Sequence, residues 1–227
     1  MSDKIVYLIR HCEAEHKVGR RFHIADARLT PTGVEQAKEL CATLPQDLLE
    51  NVELVVSSPL RRALETTLLG LQPVLDRVGR RSVVILPHAQ ECNIHPCDTG
   101  SAAEELVKDP AFEGLDFRML SKRPDWTSKQ GFWSNDPACL HARAKYVRRW
   151  LRDQPEKRIV LVSHGNFLRY LVSRAETDDL FANGEIRSYT FASDDDEDAR
   201  VVLLQKTAKV GEVKPASDFD GSASSEA

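Results

Sequence analysis

Apolar residues gather along this chain in short, nearly continuous runs separated by longer mixed stretches. KIVYLI (4–9), VELVVS (52–57), SVVIL (82–86) and RIVLVS (158–163) are rich in β-branched residues and bounded by turn signals. Continuous apolarity of this kind is the pattern of strands covered on both faces. The stretches between them have helical spacing. PTGVEQAKELCATL (31–44) sets Pro31 directly after Thr30, an N-cap followed by proline at the first helical position. PLRRALETTLLG (59–70) repeats this with Ser58 and Pro59 and stops at Gly70, a residue that ends helices readily. Helices are also predicted over 137–153 and 166–175. Two late strands are predicted at 186–192 and 199–205, joined by the acidic DDDED as a solvated hairpin tip. Strands alternating with helices specify an α/β layer fold.

The alternation breaks between 92 and 136. Turn residues dominate there, together with Trp126, Phe132 and Trp133, and a long insertion of this type is a lid or a binding loop. From residue 207 the composition shifts to Lys, Ser, Asp and Gly, ending GSASSEA, which predicts a disordered tail. The expected organisation is one domain over 1–206, with a cap-like insertion at about 92–136, and a tail over 207–227.

Composition narrows the function. With 227 residues, 41% hydrophobic and 29% charged, the chain has the make-up of an ordinary globular protein. Its formal net charge of −4 argues against a nucleic-acid partner but permits a small positive pocket. No apolar run has the length of a membrane span, and MSDKIVYLIR lacks the basic and long apolar regions of a secretory signal. The five cysteines (12, 41, 92, 97 and 139) are odd in number and without framework spacing, so reduced thiols and a cytoplasmic location are expected.

The first strand closes in LIRHCEAEH (8–16), which admits three chemistries. A cysteine-phosphatase loop needs arginine six positions after Cys12, but position 18 is Val and Arg20 comes two residues too late. Its neighbouring carboxylates also disfavour a thiolate. A zinc site could use His88, Cys92, His95 and Cys97, donors of the right type in a spacing outside the common closed patterns. The third chemistry collects strand ends: Arg10-His11 after the first, SSPLRRA after the second and SHGN after the fourth. Ligands of open α/β sheets gather there, and helix N-termini add free N–H groups. Arginine forks match phosphate oxygens. Neutral imidazole is a competent nucleophile, and a carboxylic acid must protonate the leaving oxygen. Glu91, just past the third strand, stands where that acid belongs.

These stretches resemble a known family. RHCEAEH is similar to the RHG signature of the histidine phosphatase superfamily, the phosphoglycerate mutase-like proteins. DARLTPTG resembles its D-x-x-L-T-x-x-G element, SSPLRRALET its S-x-x-L-x-R-A-x-x-T helix start, and SHGNFLR its second-histidine motif. The matches keep their order over residues 5 to about 170. The expected fold is accordingly a three-layer α/β/α sandwich with a mostly parallel central sheet and an inserted cap segment.

The resemblance implies that His11 accepts the phosphoryl group, that Arg10, Arg62 and His164 bind phosphate, and that Glu91 is the acid, with Asp98 or Glu104 as alternatives. It assigns Arg61 to the surface. It implies a histidine acid phosphatase-like, metal-independent phosphomonoester hydrolase acting through phosphohistidine on a phosphorylated metabolite, with no cofactor. Two positions depart from the pattern: Cys12 replaces a common glycine, and Lys17 a common asparagine. After Glu91 the chain reads CNIHPCDTGS, without the Arg-His-Tyr-Gly-Gly run typical of mutases, so phosphatase is favoured over mutase. A non-catalytic phospholigand-binding or scaffold protein is the third reading, though no catalytic group is missing. His16 and Lys17 could read substrate charge. Lys122, Arg123 and Lys129 suit a second anionic group or merely solvent, and the insertion's aromatics could cover the substrate's organic part or pack in the core.

Overall fold

A computed structural model describes residues 2–172 and 179–206 of the chain. Six strands form one sheet: β1 (Ile5–Arg10), β2 (Leu54–Ser57), β3 (Val84–Ile85), β4 (Arg158–Ser163), β5 (Ile186–Phe191) and β6 (Val201–Lys206). Their order is β3-β2-β4-β1-β5-β6. The first four are mutually parallel, whereas β5 runs antiparallel to both β1 and β6. The helices are α1 (Pro31–Ala42), α2 (Gln46–Asn51), α3 (Arg61–Gly70), α4 (Gln72–Val78), α5 (Ala103–Val107), α6 (Arg118–Ser121), α7 (Pro137–Asp153) and α8 (Gly165–Leu171).

The period-two alternation of side chains along a strand divides the sheet between two cores. Tyr7, Ile9, Val55, Val160 and Val162 pack with Leu40 of α1, Leu64 and Leu68 of α3 and Val74 and Leu75 of α4. Val6, Leu8, Val56, Ile159 and Leu161 face the other way, onto Ala144, Val147 and Leu151 of α7 and Phe167, Leu168 and Leu171 of α8. Helices on both faces of a mostly parallel sheet make the expected three-layer sandwich, and they explain why the strand runs are apolar without interruption.

Several boundaries move. Helix α1 starts as expected, with the Thr30 side chain accepting from Gly33 N and Pro31 in the first turn. Helix α3 begins at Arg61, with Leu60 as its cap residue and no side-chain cap. Ser58 is not the N-cap because its hydroxyl is engaged elsewhere, with His164. Strand β3 shrinks to two residues between the turn Arg80–Ser82 and the turn Pro87–Ala89. Within the helix expected at 166–175, residues 173–175 lie outside the described residues, as does the tail at 207–227.

The acidic tip before β6 is not simply solvated. Its backbone carbonyls at Asp196 and Asp198 accept from Arg152 and Arg148 of α7, and Lys145 pairs with Asp198. Nor is the insertion a structureless loop. It folds into α5, α6 and several single 3-10 turns, and its Phe112, Phe117, Leu120, Trp126 and Trp133 belong to the core beneath β2 and α3. Trp126 and Trp133 are thus core residues, leaving only Phe132 of the three aromatics exposed.

Candidate active site

The carboxyl ends of β1, β2 and β4 bring the motif residues together. His11 follows β1 and is anchored by its own backbone N–H, which donates to Ser163 O of β4. Its ring is buried. The Nδ1 atom lies 2.6 Å from Cys12 O, and a carbonyl only accepts, so Nδ1 carries the hydrogen. Nε2 accepts from Arg62 Nε at 3.2 Å, and a guanidinium only donates. These two contacts leave one tautomer, with the Nε2 lone pair directed at Arg62. Burial, followed by the charges of Arg62 and Arg10, holds the His11 pKa well below its ordinary value. The imidazole is therefore neutral at pH 7 and nucleophilic at Nε2.

Arg62 lies in the first turn of α3, fully buried. Its fork is aimed by Cys97 O at 2.6 Å and by Asp98 Oδ1 at 2.8 Å. Removing a planar guanidinium from water in this way is tolerable only because a carboxylate and a carbonyl meet it. Arg10 ends β1, and its Nη1 donates to Phe181 O at 2.5 Å. Arg187 holds the segment that supplies this carbonyl, pairing with Glu185 and covering the Phe181 ring at 3.9 Å. Gly165 lets the chain pass Arg10 closely: a Cβ there would sit 3.2 Å from Arg10 Nε.

His164 is fully buried, its ring centroid 5.1 Å from that of His11. Leu60 N donates to the Ser58 hydroxyl, which lies 2.7 Å from His164 Nε2. The Ser58 contact engages Nε2, so Nδ1 is the ring nitrogen left for a ligand. Burial and then Arg62 keep this imidazole neutral too. His16 completes the wall at 6.1 Å from His11, its pKa pushed down to about 3 by burial and the nearby arginines and lysine. Arg10 Nε, His16 Nδ1 and His164 Nδ1 are all buried without a hydrogen-bond partner. Orphaned buried nitrogens are costly. All three belong to residues gathered with His11 at the strand ends, and an oxyanion entering this cradle would satisfy them.

Glu91 is buried beside these residues, with Cys92 N at 2.8 Å and Phe167 N at 3.1 Å both donating to Oε1, so one carboxylate oxygen takes both backbone donors. Asp98 serves instead as the anchor of Arg62, and Glu104 is exposed on α5, away from the group.

Around the cradle, the remaining motif residues are structural. Asp26 accepts from Arg61 N, Ser101 N and Ser101 Oγ, tying the loop before α1 to α3 and to the insertion. Arg61 is not a surface residue, because Asp109 and Asp26 both hold it. Gly33 allows α1 to press on the His11 loop, since a Cβ there would meet Glu13 O at 2.0 Å. Cys12 is fully buried, and burial pushes its thiol up to about 12, which removes it as a nucleophile. Lys17 is exposed.

The four residues considered for zinc do not assemble. His88 stacks on Tyr146 at 4.1 Å, His95 stacks on Phe22 at 5.3 Å, and Cys92 lies against Arg143. The tight donor group among the described residues is His16, Cys97 and Asp98, with ligand atoms within 4.8 Å of one another. Its chemistry suits a cation poorly: Asp98 is committed to Arg62, and burial with the Asp98 charge raises the Cys97 thiol to about 11.

Comparison with known proteins gives the family and the fold. The family model of the histidine phosphatase superfamily (branch 1) matches residues 6–189. The chain belongs to the histidine phosphatase superfamily. Among its relatives is a Schizosaccharomyces pombe protein described as a probable phosphatase, 30% identical over 171 residues, 74% of this chain and 76% of its own. An Arabidopsis thaliana phosphoglycerate mutase-like protein is 27% identical over 207 residues, 75% of this chain and 74% of its own. The fold matches that of the alpha-ribazole phosphatase from Shigella flexneri, with TM-score 0.58, 22% identity and coverage of 92% and 99%. It also matches a phosphoserine phosphatase from Entamoeba histolytica solved with phosphoserine, with TM-score 0.55, 22% identity and coverage of 90% and 97%.

Proposed function

We propose that the chain hydrolyses phosphomonoesters of small molecules in two displacements at phosphorus, His11 being the nucleophile. The observation that carries this reading is the fixed tautomer of His11, its Nε2 lone pair facing Arg62, together with the unpartnered buried nitrogens of Arg10, His16 and His164. A phosphoryl group would take over the Arg62 Nε hydrogen and those of Arg10 Nε and His164 Nδ1. It would thereby place phosphorus in line with His11 Nε2. Attack forms the N–P bond as the ester oxygen leaves, and the Glu91 proton passes to that oxygen. Positive charge on the new phosphohistidine is tolerated because Nδ1–H points at Cys12 O. Water then enters, gives its proton to Glu91 and displaces the imidazole. The charge that other phosphoryl-transfer enzymes often draw from Mg2+ is supplied by Arg10, Arg62 and the neutral donor His164.

The test is turnover of p-nitrophenyl phosphate with EDTA present. The expected result is activity that His11→Ala lowers at least about a thousandfold, as for loss of a covalent nucleophile. Activity surviving in the variant would remove His11 from its role. Activity abolished by EDTA would show that a metal is needed.

A further inference from the structure

We propose that Arg187 is a positioning residue for Arg10: it fixes the loop 179–185, whose Phe181 carbonyl aims the Arg10 guanidinium at the phosphoryl group. The inference deepens the phosphomonoesterase reading and rests on it for the role of Arg10.

Arg187 stands where the strand pattern asks for an apolar side chain. On β5 it shares a face with Tyr189 and Phe191, which belong to the core against α7 and α8. In register it lies opposite Leu8 of β1, from the same core. It is 2% exposed. Burying a guanidinium there costs desolvation that an apolar residue of similar volume would avoid, so stability alone does not account for it.

Its contacts do. Nε donates to Glu185 Oε1 at 2.6 Å and Nη2 to Leu180 O at 2.8 Å, and the guanidinium covers the Phe181 ring at 3.9 Å. Glu185, held in this way, accepts from Ala182 N through Oε2 at 2.6 Å. The Arg187–Glu185 pair thus pins the residue before Phe181, the residue after it and its ring. At the start of the loop, Asp179 is shared between Arg187 and Lys206 of β6. Among the described residues Phe181 O is the one hydrogen-bond acceptor of the Arg10 guanidinium, through Nη1, while Arg10 Nε is left without a partner. The main chain repeats the link: Gly184 N donates to Arg10 O at 3.0 Å, and Arg10 N to Glu185 O at 3.3 Å. Arg187 therefore acts through Arg10 and not on the substrate.

The test is a double-mutant cycle with two readouts: kcat/KM for p-nitrophenyl phosphate, and affinity for inorganic phosphate by calorimetry. Arg187→Met should lower both about tenfold or more, because a misaimed guanidinium loses its hold on the phosphoryl oxygens. In the Arg10→Met background the same substitution should change either by less than about twofold. A merely structural role would cost the same factor in both backgrounds; that result, or wild-type values in Arg187→Met, would overturn the proposal. Since Arg187→Met deprives Glu185 of its charge partner, Arg187→Met/Glu185→Gln is taken through the same cycle and should show the same dependence on Arg10. Arg187→Lys, the mildest change, keeps the charge without the fork and should show a smaller loss with that dependence. Failure of the phosphomonoesterase reading would show separately, as absent turnover in the unmodified chain, while phosphate affinity would still report the coupling of Arg187 to Arg10.

Discussion

His11 is the proposed nucleophile because its surroundings leave it neutral and leave it one tautomer. Cys12 O takes the Nδ1 hydrogen and Arg62 faces the lone pair. The arginine is itself fixed by Cys97 O and Asp98. A lysine at 62 would lose the fork that spans these partners, so Arg62→Lys should lower kcat/KM about a hundredfold, or about 2.7 kcal/mol. Retention of activity within threefold would contradict that role. Glu91 yields a sharper prediction. Acid assistance matters for a basic leaving group and little for p-nitrophenolate. Glu91→Gln should therefore cost at least about tenfold more with an alkyl phosphate than with p-nitrophenyl phosphate, and equal losses would show that Glu91 is not the acid. Arg10, His11, Arg62 and His164 were legible because each follows a strand end in a short motif. Ser58 was not read in its role, because its hydroxyl looked like a helix cap, whereas His16 was read as a residue that could sense substrate charge and lies buried beside His11.

At the scale of elements, the site depends on how closely α1 and α3 approach the first loop. Thr30 caps α1 through Gly33 N at 2.9 Å and donates to Glu13 Oε1 at 2.7 Å. Thr30→Ala should cost about 1–2 kcal/mol in urea unfolding. Gly33→Ala should cost more, because its new carbon would fall 2.0 Å from Glu13 O and would push the loop that carries His11. Equal stabilities of Gly33→Ala and wild type would refute that close approach. Helix α7 matched its predicted limits because Asp136 caps it and Pro137 starts it, signals that are entirely local. The start of α3 and the length of β3 were misjudged where tertiary partners overrode local chemistry: His164 engages Ser58, and the turns around β3 cut it short. The insertion was the least legible part. Its 3-10 turns have no long period, and Trp126 is buried against Gly100, where a Cβ would lie 2.0 Å from its ring.

Over the whole molecule, four histidines are buried and held neutral. Burial foremost lowers His16 to about 3 and His88 to about 4, and lowers His11 and His164 well below 6.5. In the unfolded chain each takes up a proton near pH 6.5. Below that pH the unfolded state binds more protons than the folded one, so the stability present above pH 6.5 is lost as pH falls toward the folded values. Each histidine contributes a slope of up to about 1.4 kcal/mol per pH unit. Urea midpoints should fall clearly between pH 7 and pH 5, and midpoints constant over that range would contradict the burial of neutral imidazoles. The same depression favours unprotonated His11, so its own titration should limit kcat/KM less than that of an ordinary imidazole.

The most direct test of the account is to find the phosphoryl group on the protein. A phosphate-labelled substrate would be mixed with the chain, the reaction stopped within milliseconds, and the labelled residue located by mass spectrometry. The account predicts a single acid-labile, base-stable phosphate on His11, lost in His11→Ala and longer-lived in Glu91→Gln when p-nitrophenyl phosphate is the donor. Label on Cys12 or on any other side chain, or steady turnover with no label at all, would contradict it.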